Sequence, residues 1–213
     1  MHVRTETVGP FQENCYLLAD AETRDAVLID PGDEGARLIA AVEESGCALR
    51  ALWITHAHID HVGGIAEVKR RWDVPVFLHP ADRPLYDRVT EQGRKYGLRI
   101  EAPPAPDRDL ADGDVVTVGG LSFSVMHVPG HAPGHVAFVG HGAVFGGDCL
   151  FAGSIGRTDL PLSDPRALQQ SLARLGALPP ETVVYAGHGP ATTIGEENRT
   201  NPFLNGAARL ISR

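Results

Sequence analysis

Cysteine is scarce in this 213-residue chain: Cys15, Cys47 and Cys149 are all there is. The number is odd and no pair stands at a metal-binding spacing. That excludes a thiolate metal site and a disulfide framework, and it fits a reduced compartment, the cytoplasm. Cys15 lies inside an apolar run and reads as a small buried hydrophobe, not a nucleophile. Long hydrophobic runs are missing as well. Met1-His2-Val3-Arg4 leads straight into alternating sequence without an apolar signal core, and no stretch approaches bilayer length. No membrane partner is expected. Positive charge is in deficit: 19 Lys and Arg against 27 Asp and Glu leave a net charge of −8. That provides no basic footprint for nucleic acid, which counts against a nuclease.

What is present is ordinary apolar content (43%), 24 glycines and ten histidines, in a length that suits one domain over 1–213. The histidines are not evenly spread. Thr55-His56-Ala57-His58-Ile59-Asp60-His61 packs three imidazoles and a carboxylate into six positions, directly after the apolar run Ala51-Leu52-Trp53-Ile54. That run reads as a buried strand. His56 and His58, two apart on extended chain, reach toward one point, while Asp60 and His61 on the turn into a helix are free to reach toward another. Imidazole nitrogen and carboxylate oxygen suit zinc, iron or manganese.

Along the chain, strands are expected at 2–8, 14–20, 26–30 and 49–54, with a helix from Asp33 or Glu34 to Ser45 ended by Gly46. A second helix is expected over 62–72 and a short strand over 74–79. Residues 80–112 are polar, proline-rich at 103–106 and without clear periodicity, so they read as an irregular insertion of loops or short helices near the active site. Strands at 115–118, 121–128, 136–140, 143–147 and 182–185 follow. A helix over 164–176 has Pro165 at its first position, and a last helix is expected around 202–211. The order is neither a strict β-α-β alternation nor all-β. Two mixed sheets packed face to face with helices outside, an αββα sandwich of the α/β (α+β) class, would bury every apolar strand.

Three further strand ends continue the metal pattern, each rich in glycine: Pro129-Gly130-His131, Gly146-Gly147-Asp148 and Ala186-Gly187-His188. The count reaches seven ligands. His56, His58 and His131 are expected on a first ion, Asp60, His61 and His188 on a second, and Asp148 as the bridge, with positions left open for water. His2, His79 and His141 have no expected metal role. His127 and His135 are expected to hydrogen-bond the ligands from behind. Cys149, beside Asp148, faces away and packs.

In these motifs, H-x-H-x-D-H at 56–61, Pro-Gly-His at 129–131, Gly-Asp at 147–148 and Gly-His at 187–188, the chain resembles the metallo-β-lactamase fold superfamily over essentially its whole length. Gly153-Ser154-Ile155-Gly156-Arg157-Thr158-Asp159-Leu160-Pro161 and Thr200-Asn201-Pro202-Phe203-Leu204 look like the short glyoxalase II-like hydrolases. The resemblance implies an αββα sandwich and a pair of divalent metal ions, zinc or mixed with iron or manganese, cleaving hydroxyacyl-glutathione thioesters. One departure stands out. Full-length glyoxalase II proteins carry a C-terminal helical segment that holds glutathione, whereas here the chain ends soon after His188, and Gly187-His188-Gly189-Pro190 replaces their Gly-His-Glu-Tyr. The thioester expectation therefore stands on the metal site more than on a glutathione pocket.

The expected chemistry is attack on the acyl carbon by a hydroxide shared between the two ions, with Asp60 as the catalytic residue that orients the nucleophile and accepts its proton. Arg157 either anchors an anionic substrate group or braces its own loop on Asp159. The alternative reading is a persulfide dioxygenase with one iron on His56, His131 and Asp148; a lactonase would use the same hydroxide. A flavodiiron oxygen reductase is disfavoured because position 58 is histidine where that group resembles glutamate. A non-catalytic scaffold would be expected to have lost ligands, and none is missing.

Overall fold

The computed structural model describes residues 1–208. The chain opens with three antiparallel strands, β1 (His2–Val8), β2 (Glu13–Ala19) and β3 (Asp25–Ile29), and helix α1 (Gly35–Ser45) follows. β4 (Ala48–Trp53) returns parallel to β3 and leads through two short helices, α2 (Ile59–Val62) and α3 (Ile65–Arg71), to β5 (Val76–Leu78). A 3-10 turn over Pro80–Asp82 and helices α4 (Arg83–Tyr86) and α5 (Val89–Lys95) precede β6 (Arg108–Asp109), which closes a mixed sheet in the order β1-β2-β3-β4-β5-β6.

The second half runs through β7 (Val115–Val118), β8 (Leu121–His127), β9 (Val136–Gly140) and β10 (Ala143–Gly147) as an antiparallel meander. A small ribbon of β11 (Leu150–Phe151) and β12 (Ser154–Ile155) follows, then α6 (Pro165–Gly176), β13 (Val183–Ala186), β14 (Thr192–Thr193) and α7 (Ile194–Thr200). β13 joins β10 in parallel, giving a second mixed sheet in the order β14-β13-β10-β9-β8-β7.

Alternation along the central strands explains the layers. On β2, Tyr16 and Leu18 join Val27, Ile29, Ala51 and Trp53 in a core shared with Phe123, Val125, Phe138 and Phe145 of the other sheet. The alternate residues Cys15, Leu17, Ala19, Ala26 and Leu28 pack instead with Leu38 and Val42 of α1 and Ile65 and Val68 of α3. Ala137, Val144 and Val184 turn the outer face of the second sheet to Leu168, Leu172 and Leu175 of α6, with Cys149 in the same cluster. A strand buried on both faces has no polar side, so these runs read as continuous apolar sequence. The result is the αββα sandwich expected from the sequence.

Several boundaries differ from expectation. The helix expected over 62–72 starts earlier, at Ile59, and is broken at Gly63-Gly64. The loop after β3 lies against that break: a Cβ at Gly63 would meet the Gly32 carbonyl oxygen at 2.5 Å, and one at Gly64 would meet that of Pro31 at 2.9 Å. The tertiary contact, not helix propensity, sets the interruption. The last helix is Ile194–Thr200, where Thr193 Oγ1 accepts the Glu196 N–H as a cap. The expected helix around 202–211 is not formed over 202–208, which are turns, and its remainder lies outside the described residues. α6 begins as expected, with Asp164 capping the N–H groups of Arg166 and Ala167 ahead of Pro165. Among the described residues no helix is long and apolar enough to cross a membrane.

Candidate metal centre

The seven residues singled out in the sequence meet at one rim, where β4, β8, β10 and β13 end or turn. β4 is fixed on both faces, and two residues beyond its end the chain is tied to the end of β3: Thr55 N and Oγ1 donate to Asp30 Oδ1 and Oδ2 at 2.7 and 2.5 Å. His56 thus leaves from a fixed point. Its Nδ1 lies 3.1 Å from Thr55 Oγ1, and its Nε2 is buried without a hydrogen-bond partner. His61 Nδ1 is held by Asp30 Oδ2 at 3.0 Å, with the buried Glu13 carboxylate behind it at 3.8 Å, and its Nε2 is also left without a hydrogen bond. His131 Nδ1 donates to the Arg157 carbonyl at 2.8 Å, which aims Nε2 inward, 2.8 Å from His58 Nδ1.

The His188 loop comes from the second sheet but is fastened to the first. Asn14 N donates to Gly187 O at 2.7 Å, and its Nδ2 to Ala186 O and Gly189 O at 3.1 and 2.8 Å. Tyr16 Oη donates to Ala186 O at 2.6 Å. Gly187 permits this approach, because a Cβ there would stand 2.2 Å from Asp148 Oδ1.

Donor atoms of His56, His58 and His131 lie within 4.8 Å of one another, and so do those of Asp60, His61 and His188. Asp148 stands between the groups. Its Oδ1 is 3.4 Å from His61 Nε2, and its Oδ2 is 3.5 Å from His131 Nε2 and 3.4 Å from His188 Nε2. Asp60 Oδ2 is 3.3 Å from His188 Nε2. Asp30, His56 and His61 form a third group at the same spacing. Asp30, however, is already engaged by Thr55 and by His61 Nδ1, so it orients the candidate ligand His61 from behind.

These donors fit divalent ions. His56 Nε2, His61 Nε2 and Asp148 Oδ1 are buried with no hydrogen-bond partner. Each such group costs the fold about 1–3 kcal/mol, and cations between the groups would satisfy all three.

The electrostatics divide the site. Burial drives His56 well below the ordinary imidazole value, with His61 adding to the effect, and pushes His58 down to about 3, with His131 adding. Burial lowers His131 too. The first group is therefore three neutral imidazoles, the form that binds metal. Around the second group, burial is outweighed by carboxylates: Asp148 and Asp60 hold His61 well above its usual value, and hydrogen bonds to the same pair hold His188 at about 10. Burial is outweighed likewise at Asp148, which the His61 charge keeps well below the carboxylate range.

Of the supporting residues expected from sequence, His135 is where it was expected: its Nε2 accepts the Asp148 N–H at 3.0 Å. His127 is not. Its ring stacks on His79 at 4.3 Å and its Nε2 donates to Pro133 O, so it touches no candidate ligand. Arg157 is braced on Asp159 through two bonds of 2.6 and 2.7 Å, and it serves the site through its carbonyl.

Asp82 is a residue the sequence reading missed. Fully buried, it accepts the Ala57 N–H, between His56 and His58, at 2.8 Å, and the Gly134 N–H in the His131 loop. It thereby ties the 80–112 segment to both ligand loops of the first group. Burial raises its pKa to about 6, against the two backbone donors. A carboxyl whose pKa is higher folded than unfolded loses stability as pH rises between the two values. The rise from 3.8 to about 6 makes ionised Asp82 cost the fold about 3 kcal/mol. Thermal unfolding should therefore show the stability of the parent relative to Asp82→Asn falling as pH rises from about 4 to 6; a difference independent of pH would refute the assignment.

A pocket of about 660 Å³ opens over the cluster. His58, Asp60, His131, Asp148 and His188 form its floor, and α4, α5, the β1–β2 turn and the loop before α6 form its walls.

A family model described as the metallo-beta-lactamase superfamily matches residues 8–188. The hydroxyacylglutathione hydrolase GloC of Haemophilus influenzae is 40% identical over 210 residues, covering 96% of this chain and 99% of that protein. Among solved structures, TTHA1623 in a di-iron-bound form is similar with a TM-score of 0.89 at 51% identity, over 95% of this chain and 100% of that one. ETHE1 from Myxococcus xanthus is similar with a TM-score of 0.81 at 31% identity, over 97% and 85%.

Proposed function

We propose a thioesterase for this chain, which belongs to the metallo-β-lactamase superfamily: a dinuclear metallohydrolase acting on hydroxyacyl-glutathione or a related small thioester in the cytoplasm. The observation that carries the reading is Asp148, whose two oxygens face the two donor groups at 3.4–3.5 Å. His56, His58 and His131 would hold one ion, Asp60, His61 and His188 the other, with Asp148 shared. Zinc suits this donor set, and iron or manganese fit it as well; the similar chain TTHA1623 is described as di-iron-bound. Divalent ions held there supply Lewis acidity, lowering the pKa of the attacking water and polarising the acyl carbonyl.

The chain's own part is positioning. Asp60 carries a side chain 18% exposed to the pocket, so it can accept a hydrogen bond from the attacking water at Oδ1 or Oδ2 and take its proton. Asp30, Thr55 and the Arg157 carbonyl fix the tautomers of His61, His56 and His131. Water adds its oxygen to the acyl carbon, the C–S bond breaks, and a carboxylate and a thiol leave. Because a thiolate departs readily, the pocket needs no dedicated general acid. A lactone would be opened by the same attack.

The second reading, a persulfide dioxygenase with one iron on His56, His131 and Asp148, draws on the likeness to ETHE1. It leaves the unpartnered His61 Nε2 without a purpose. Metal analysis of the purified protein, with assays of S-lactoylglutathione hydrolysis and of oxygen uptake on glutathione persulfide, separates the two. Near two metals per chain with hydrolysis supports the proposal; one iron with oxygen uptake overturns it.

A further inference from the structure

Five large apolar side chains stand exposed among the described residues, and three of them rim the pocket over the cluster: Phe11 at 37%, Tyr96 at 56% and Leu162 at 58%. They come from three separate segments, the β1–β2 turn, the residue after α5, and the loop before α6. The rings of Phe11 and Tyr96 already meet edge to face, 5.4 Å apart at 88°. Single exposed hydrophobes need no explanation, but several converging on one concave mouth mark a contact surface for a ligand.

The charges on the same wall are unequal. Arg88 spends its guanidinium on Glu91, with bonds of 2.9 and 3.0 Å, and Arg157 does the same on Asp159. Both are neutralised within their own segments. Among the described residues the Lys95 ammonium, adjacent to Tyr96, meets no hydrogen-bond or ion-pair partner; Glu91, one turn back, feels its charge but is committed to Arg88. The wall therefore offers an apolar surface and one free ammonium.

We infer that this rim selects thioesters whose unreacting thiol arm is apolar and carries a single carboxylate, with the arm lying against Phe11, Tyr96 and Leu162 and the carboxylate meeting Lys95. The inference rests on the thioesterase reading and narrows it. A zwitterionic tripeptide thiol, with two carboxylates and an ammonium, finds one free cation here, and its polar backbone would lose water against apolar rings. An aryl or alkyl thiol with one carboxylate matches both halves of the wall.

The test uses metal-loaded protein and two lactoyl thioesters, one of glutathione and one of 4-mercaptophenylacetate. The aryl thioester should have the lower KM. Tyr96→Ala should raise that KM about 2–10-fold, and Lys95→Met about 2–5-fold, with kcat unchanged and the glutathione thioester little affected. Calorimetric binding of the uncleavable thioether, S-methyl-4-mercaptophenylacetate, should weaken by the same factors. If the parent protein cleaves neither thioester, the thioesterase reading fails and the thioether alone decides the rim. Thioether binding equal in the parent and both variants overturns the inference. So does a glutathione thioester that is the better substrate and the one both variants impair.

Discussion

Replacing Asp148 by asparagine is expected to lower kcat/KM for thioester hydrolysis by on the order of 10³-fold, the upper range for loss of one transition-state stabilising group, and to lower metal content below two per chain. The substitution preserves size but not function. Asp148 faces Nε2 atoms on three histidines at 3.4–3.5 Å. An amide presents one oxygen and one NH2 group to that set, so one donor group gains an N–H where it needs an anion. The backbone N–H of residue 148 still reaches His135, which keeps the loop in place and confines the effect to the side chain. Metal analysis and steady-state kinetics measure the outcome, with His127→Ala as the control, since His127 touches none of the ligands. A companion series reads nuclearity. Under the dinuclear proposal His58→Ala and His188→Ala both abolish hydrolysis; if both stay active while His56→Ala is dead, one ion suffices.

Chelation is expected to have the second large effect, on stability. A ligand that binds only the folded chain stabilises it by about 2.7 kcal/mol when present at a hundred times its dissociation constant. For a chain of this size, that corresponds to about 5–10 °C in Tm per ion. The apo site also keeps its unpartnered donors, His56 Nε2, His61 Nε2 and Asp148 Oδ1, which nothing else among the described residues satisfies. Differential scanning calorimetry with and without chelator should show the drop, reversed on adding metal back. The three apolar clusters that make the sandwich do not include the ligands, so the far-ultraviolet circular dichroism of the apo-protein should remain native at 25 °C. An unchanged Tm would show that the donors hold no ion in solution.

The amino-acid sequence by itself determined the layers of the fold and the ligand candidates. Strand periodicity is local, and so is the H-x-H-x-D-H spacing. Continuous apolar runs such as Leu17-Leu18 and Leu52-Trp53-Ile54 already require partners on both faces. Glycine-flanked His131, Asp148 and His188 at strand ends had one plausible meeting place, a common rim. What only the tertiary structure decided were the contacts that hold that rim together. The Asn14 and Tyr16 anchors reach Ala186 across 172 and 170 residues, and Asp82 joins the His56–His58 and His131 loops from a segment with no periodicity to read. The break at Gly63-Gly64 and the placing of His127 outside the site belong to the same class. A hydrogen bond between distant residues leaves no repeat in either stretch, because each partner's local sequence allows many conformations and packing selects one. The candidate ligands were thus written along the chain, while their aim had to wait for the sheets to meet.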